Sequence, residues 1–171
     1  MKLTSQVKNL IIKEITLEWR SKYALNGILL YVVSTVFVCF LSFKSTPPLV
    51  WNALFWIIML FAAINAIAKS FMQESKGRLL YYYQLASPVA IILSKIIYNI
   101  ALMLFMASIA FIFYNIVFDN PIEDIPLYLL SVFIGAFSFS TVFTMISAIA
   151  SKAGNNATLM AILSFPVIIP L

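Results

Sequence analysis

The chain has no histidine and a single cysteine, Cys39, among its 171 residues. Lack of histidine removes the commonest general base, the commonest metal ligand and the commonest haem axial ligand. One cysteine cannot close an intrachain disulfide, and no Cys-x-x-Cys or Cys/His spacing is present to hold a metal. Charge is scarce as well: 10% of residues are Asp, Glu, Lys or Arg, against about a quarter in soluble domains. The long apolar runs contain no ionisable group of the kind that a proton relay, an intramembrane protease or an ion-coupled carrier keeps at membrane depth. With no paired carboxylates and no Ser/His/Asp set either, the residues give an enzyme no support.

What remains is overwhelmingly apolar, with 63% hydrophobic residues and a mean hydropathy of +1.03. An all-α, polytopic membrane protein follows. Residues 1–171 form a single domain, with room for roughly five crossings at about 20 apolar residues each. The net charge of +5 lies beside the apolar runs rather than in a solvated patch. It sets orientation, and no nucleic-acid partner is expected.

Residues 1–22 place Leu3, Val7, Leu10, Ile11, Ile15 and Trp19 at helical spacing, with Lys8, Lys13, Glu14, Glu18 and Arg20 mostly on other faces. This pattern predicts an amphipathic helix at the membrane surface. It is too charged and too long to be a cleaved signal peptide. Four full runs follow, Leu25–Phe43, Leu49–Ala68, Ile96–Phe118 and Ile125–Ala150, each long enough to cross. A fifth begins at Ala157 and reaches Leu171 without a polar anchor. It reads as C-terminally truncated, and a sixth crossing is expected beyond it.

Basic residues favour the cytoplasmic side of short connections. Lys2, Lys8, Lys13, Arg20 and Lys22 precede the first run, and Lys69, Lys76, Arg78 and Lys95 lie between the second and third. The loop after Phe118 carries Asp119, Glu123 and Asp124 with no basic residue. The amino terminus is therefore expected inside, with Lys44 dissenting.

Asn65, Asn99 and Asn115 are the strongest polar groups at membrane depth, expected to bond between helices or lie near an interface. Ser131, Gly135 and Ser138, then Ser140, Thr144, Ser147 and Ser151, are small residues suited to close packing within the chain or between protomers; a polar path is the alternative. Met103 and Met106 read as core filler.

The stretch "FMQESKGRLLYYYQLASP", Phe71 to Pro88, is the most polar in the chain. Gly77 offers a break, Pro88 ends the local helical path, and Tyr81, Tyr82 and Tyr83 suit an interface. On these residues alone it is either an ordinary inner loop or a docking helix for a soluble partner.

With "KEITLEWRSK" before it and "LMAILSFPVIIPL" after it, this stretch resembles the CcmB family, the membrane subunits of the cytochrome c maturation ABC transporter, also called haem exporter protein B. The resemblance runs from about Val7 to the end. Its most specific part is Phe71, Glu74, Gly77, Leu80, Ser87, Pro88 and Lys95, followed by Pro166 and Pro170. The chain departs from the family in its "YYYQ", where many members are leucine-rich, and in stopping short of six spans.

The resemblance implies a type-2 ABC exporter fold: an elbow helix over 1–22, six spans, a coupling helix within 71–88, and protomers working in pairs. Glu74, Gly77 and Arg78 would lie at or beside the contact with an ATP-binding cassette subunit, and Ser87, Pro88 and Lys95 would shape the return into the membrane. The implied partners are that ATPase, a haem-handling membrane protein, a small single-span subunit and a haem chaperone, all at the bacterial inner membrane. The chain itself would bind no cofactor and catalyse nothing. ATP would act through the partner, and haem would be the substrate of the complex. A type-2 permease for a lipid or polysaccharide, or a non-transporting scaffold, are the alternatives.

Overall fold

The computed structural model describes residues 3–21, 23–43, 46–72, 84–152 and 162–164. Among these residues five long helices follow one another: α1 (Leu3–Ser21), α2 (Tyr23–Ser42), α3 (Pro48–Met72), α4 (Pro88–Val117) and α5 (Ile125–Lys152). No strand occurs among the described residues. Among the described residues three stretches are long and apolar enough to cross a membrane, Pro48–Ile67, Pro88–Val117 and Ile125–Ser151, and α2 adds the shorter apolar stretch Asn26–Ser42.

The helix boundaries have local causes. α3 and α4 each open on proline, whose missing N–H falls in the first turn, where a donor would have no intrahelical acceptor. Ser87 caps α4, its hydroxyl accepting from the Ala90 N–H at 3.3 Å. α4 closes where the Phe118 N–H donates to the Tyr114 carbonyl at 2.9 Å, just before Asp119-Asn120-Pro121. Asp124 then starts α5 by accepting from the Leu127 N–H at 3.1 Å.

The third span was expected from Ile96, with Pro88 ending a helical path. Instead Pro88 begins α4, about two turns earlier. Ser-Pro is a start signal here, because the serine oxygen caps and the proline fits the first turn. At 30 residues, α4 is about 45 Å long, against about 30 Å of hydrocarbon. α4 is therefore longer than an upright crossing needs.

α3 packs most extensively against α5, α4 lies against α5 and α1, and α2 contacts both α3 and α4. Small side chains hold the helices close: Ala62, Ala63 and Ala66 on α3, Ala107 and Ala110 on α4, and Ala136 and Ala150 on α5 are all buried. Met103 and Met106 fill the core between them. Large apolar groups face outward, including Leu49 at 85% and Ile116 at 74% exposure, as suits a protein surrounded by acyl chains. Polar side chains on these faces bond to their own helix, Thr35 to the Tyr31 carbonyl and Ser108 to the Leu104 carbonyl.

The serine-rich pattern of α5 divides in two. Ser140, Thr144 and Ser147 are fully buried within the protomer, whereas Ser131 is exposed. Gly135 faces the Trp56 ring of α3 so closely that an added methyl would overlap it. Gly135→Ala is therefore expected to destabilise the chain by about 1–3 kcal/mol through overpacking. The check is thermal unfolding of the detergent-solubilised protein; an unchanged midpoint would show that the tryptophan gives way freely.

At the other end of the bundle from α1, aromatic rings tie three helices together. Trp51 meets the Tyr114 ring edge-on at 4.7 Å, and the Tyr114 hydroxyl donates to the Trp51 carbonyl at 3.1 Å. Tyr128 of α5 closes the group, stacked on Phe111 at 5.6 Å.

Candidate coupling site at the junction of α1, α3 and α4

α4 brings Lys95 into the protein, with its side chain 1% exposed. Burying an ammonium costs several kcal/mol unless it is paired. One partner is Glu14 of α1, whose carboxylate accepts from the Lys95 Nζ at 3.1 Å and from the neighbouring Lys13 Nζ at 3.0 Å. The ammonium also lies 4.7 Å from the centroid of Phe71, a buried ring at the end of α3. A cation over an aromatic face in a desolvated site is stabilised by about 2 kcal/mol. One lysine of α4 thus touches two further helices, α1 and α3.

Two further contacts run along the same seam. Below Lys95, the Ser87 N–H and hydroxyl each lie 3.3 Å from the Gln6 side-chain oxygen as donors. Above it, the Tyr98 hydroxyl bonds Glu18. Gln6–Ser87 and Glu14–Lys95 share the same sequence offset of 81 residues. α1 and α4 therefore run side by side in the same direction, about 12 Å separating the two contacts. Farther along, Ile15 and Trp19 share a crevice with Ala101 and Phe105.

α1 accordingly presents two apolar faces. Val7, Leu10 and Ile11 are half-buried together with Gln6, Glu14 and Glu18, while Ile12, Ile15 and Trp19 remain exposed, Trp19 at 76%. Sequence reasoning placed the glutamates away from the apolar stripe. The missed signal is their spacing: Glu14 and Glu18 continue the row Val7, Leu10, Ile11 at three- and four-residue steps.

One turn beyond Lys95, Asn99 donates to the Thr144 hydroxyl of α5 at 2.8 Å, a buried interhelical bond. Asn65 and Asn115 instead bond the Phe61 and Phe111 carbonyls of their own helices. α4 therefore holds α1 through Lys95 and α5 through Asn99.

Of the residues singled out from sequence, Ser87 caps α4, Pro88 opens it, and Lys95 is buried within it rather than lying in a connecting loop. Glu74, Gly77 and Arg78, with Tyr81, Tyr82 and Tyr83, lie outside the described residues. Phe71 and Ser87, which bracket them, converge on the Lys95–Glu14 seam.

At the opposite end, a cavity of about 470 Å³ opens between the start of α3 and the start of α5, lined by Trp51, Asn52, Trp56, Asp124, Tyr128 and Ser131 among others. Among the described residues no group of three His, Cys, Asp or Glu side chains comes together. The buried side chains of Lys95 and Asn99 join helices to one another.

Fold and seam together define a multi-pass helical membrane protein whose buried polar chemistry connects its helices. A family model described as CcmB protein matches residues 5–171, and the chain belongs to the CcmB family. It is a non-catalytic membrane subunit of the haem-exporting ABC transporter of cytochrome c maturation. No curated protein and no solved structure matches the chain.

Proposed function

We propose that this chain transmits the work of ATP hydrolysis across the bacterial inner membrane, with its amino terminus and α1 on the cytoplasmic side. An ATP-binding cassette subunit docks on the segment within 71–88, where Glu74, Gly77 and Arg78 lie at or beside the contact. Ser87, Pro88 and Lys95 fix the segment's return into the bundle. Closure of the ATPase dimer displaces the segment, and α3 and α4 carry the displacement to the outer face. There the haem-handling membrane protein, the small single-span subunit and the haem chaperone act, and hydrolysis releases the haem-loaded chaperone. A second copy of the chain completes the unit.

The observation that carries this reading is the placement of Lys95. Its ammonium is held by Glu14 and the Phe71 ring, so the helices on both sides of residues 73–83 leave from one fixed point. A push on the segment then moves α3 and α4 together. Nucleotide shifts such an equilibrium by its differential affinity for the two states.

In the purified complex, Glu74→Ala/Gly77→Ala is expected to lower chaperone-dependent ATP hydrolysis by about tenfold, equivalent to about 1.4 kcal/mol of coupling, while basal hydrolysis by the ATPase subunit persists. Equal stimulation in the variant and the parent would refute the docking segment.

A further inference from the structure

We propose that α1 is a moving part of the transmission, with Lys95 the positioning residue that ties it to both flanks of residues 73–83. The inference rests on the coupling reading in one respect, that a partner pushes this segment. The rest comes from the seam. Gln6–Ser87 and Glu14–Lys95 keep one register along α4, and Tyr98–Glu18 extends it. A helix held at three successive levels cannot slide along its neighbour without breaking all three contacts.

Lys95 adds the connection to α3. Its cation lies over the Phe71 ring, and Phe71 is the last described buried side chain before residues 73–83. Only residue 22 separates α1 from α2 in the chain. Displacement of the segment therefore reaches α2 by a second route, through Lys95, Glu14 and α1, in addition to direct packing. Lys95 and Lys13 both face Glu14 at the seam, and the Tyr98 hydroxyl bonds Glu18. The tie is polar and part-buried, with Lys95 itself enclosed, so it holds a register that apolar packing against lipid would leave free to slip.

The test is a thiol cross-link across the seam, made with a short bis-methanethiosulfonate on Gln6→Cys/Ser87→Cys in a Cys39→Ser background, in the full complex in native membranes. Ser87 Oγ lies 3.3 Å from the Gln6 side-chain oxygen; a cysteine side chain is two atoms shorter than that glutamine, so the reagent's short spacer takes up a difference that a direct disulfide, with Cβ atoms about 3.8 Å apart, leaves open. The pair is expected to cross-link equally fast with ATP and with ADP, and the cross-linked complex is expected to mature cytochromes as well as its reduced form. Lys95→Met should slow cross-linking by about tenfold, the factor for a tie of about 1.4 kcal/mol. It should also reduce maturation, which the completed cross-link restores. Glu14→Gln, which keeps the shape and removes the charge, provides the same test if Lys95→Met accumulates poorly.

A cross-link that blocks maturation in the otherwise unchanged chain, a rate that differs between nucleotides, or a rate indifferent to both substitutions would each overturn the proposal. Failure of the coupling reading is distinguishable. In that case Glu74→Ala/Gly77→Ala leaves maturation intact while the cross-linking rates still report on the tie.

Discussion

Lys95→Glu is expected to cost the folded chain about 3–5 kcal/mol, the range for breaking a buried ion pair. The substitution sets a carboxylate against Glu14 and over the negative face of the Phe71 ring, so both attractions seen by the ammonium become repulsions. Water offers little relief, because the Lys95 side chain is 1% exposed. For a chain of this size the midpoint of thermal unfolding in detergent should fall by roughly 10 °C. The milder changes should rank by which charge they leave behind. Lys95→Met leaves Glu14 with Lys13 at 3.0 Å, whereas Glu14→Ala removes a carboxylate 3.1 Å from the more deeply buried lysine. Glu14→Ala should therefore be the worse of the two, and the reverse order would show that the pair is not what stabilises the seam.

Trp51→Ala should lower stability by about 3 kcal/mol, the low end of the usual range for a buried tryptophan. Trp51 is 1% exposed, stacks with Phe55 at 6.1 Å, and meets Tyr114 and Tyr128 edge-on. In a bilayer the transfer from water contributes little, since lipid tails are as apolar as the core. What is lost is the contact around the cavity and the aromatic pairs, each worth about 0.5–1.5 kcal/mol. The Tyr114 hydroxyl keeps its acceptor, because that acceptor is the main-chain carbonyl of residue 51. Trp19→Ala, at a position 76% exposed, is the control and should leave the unfolding midpoint nearly unchanged. Equal losses at both positions would mean that the aromatic cluster does not hold the helices together.

The spans and the amphipathic first helix were legible because hydropathy and helical period are properties of single segments. The charged seam was not, because its contacts join residues 81 apart. Lys95 looked like a loop residue, since a lone lysine beside an apolar run ordinarily marks a membrane boundary. It is buried because α4 begins at Pro88 and Glu14 meets it there. The small residues of α5 were recognised as packing groups, but sequence could not say that Gly135 serves Trp56 while Thr144 serves Asn99. Glu74, Gly77 and Arg78 stand on the family resemblance. The geometry contributes the fixed points on either side of them, Phe71 and Ser87.

The central claim is that this subunit couples ATP hydrolysis to cytochrome c maturation through the segment between α3 and α4. Its most direct test is a haem-stained gel of membrane and periplasmic proteins from a strain with this gene deleted in frame, complemented by the complete gene or by its Glu74→Ala/Gly77→Ala form. The account predicts that covalent c-type cytochromes disappear on deletion, return with the parent gene, and stay absent with the variant although it accumulates normally. Cytochromes unchanged by the deletion, or restored in full by the variant, would contradict it.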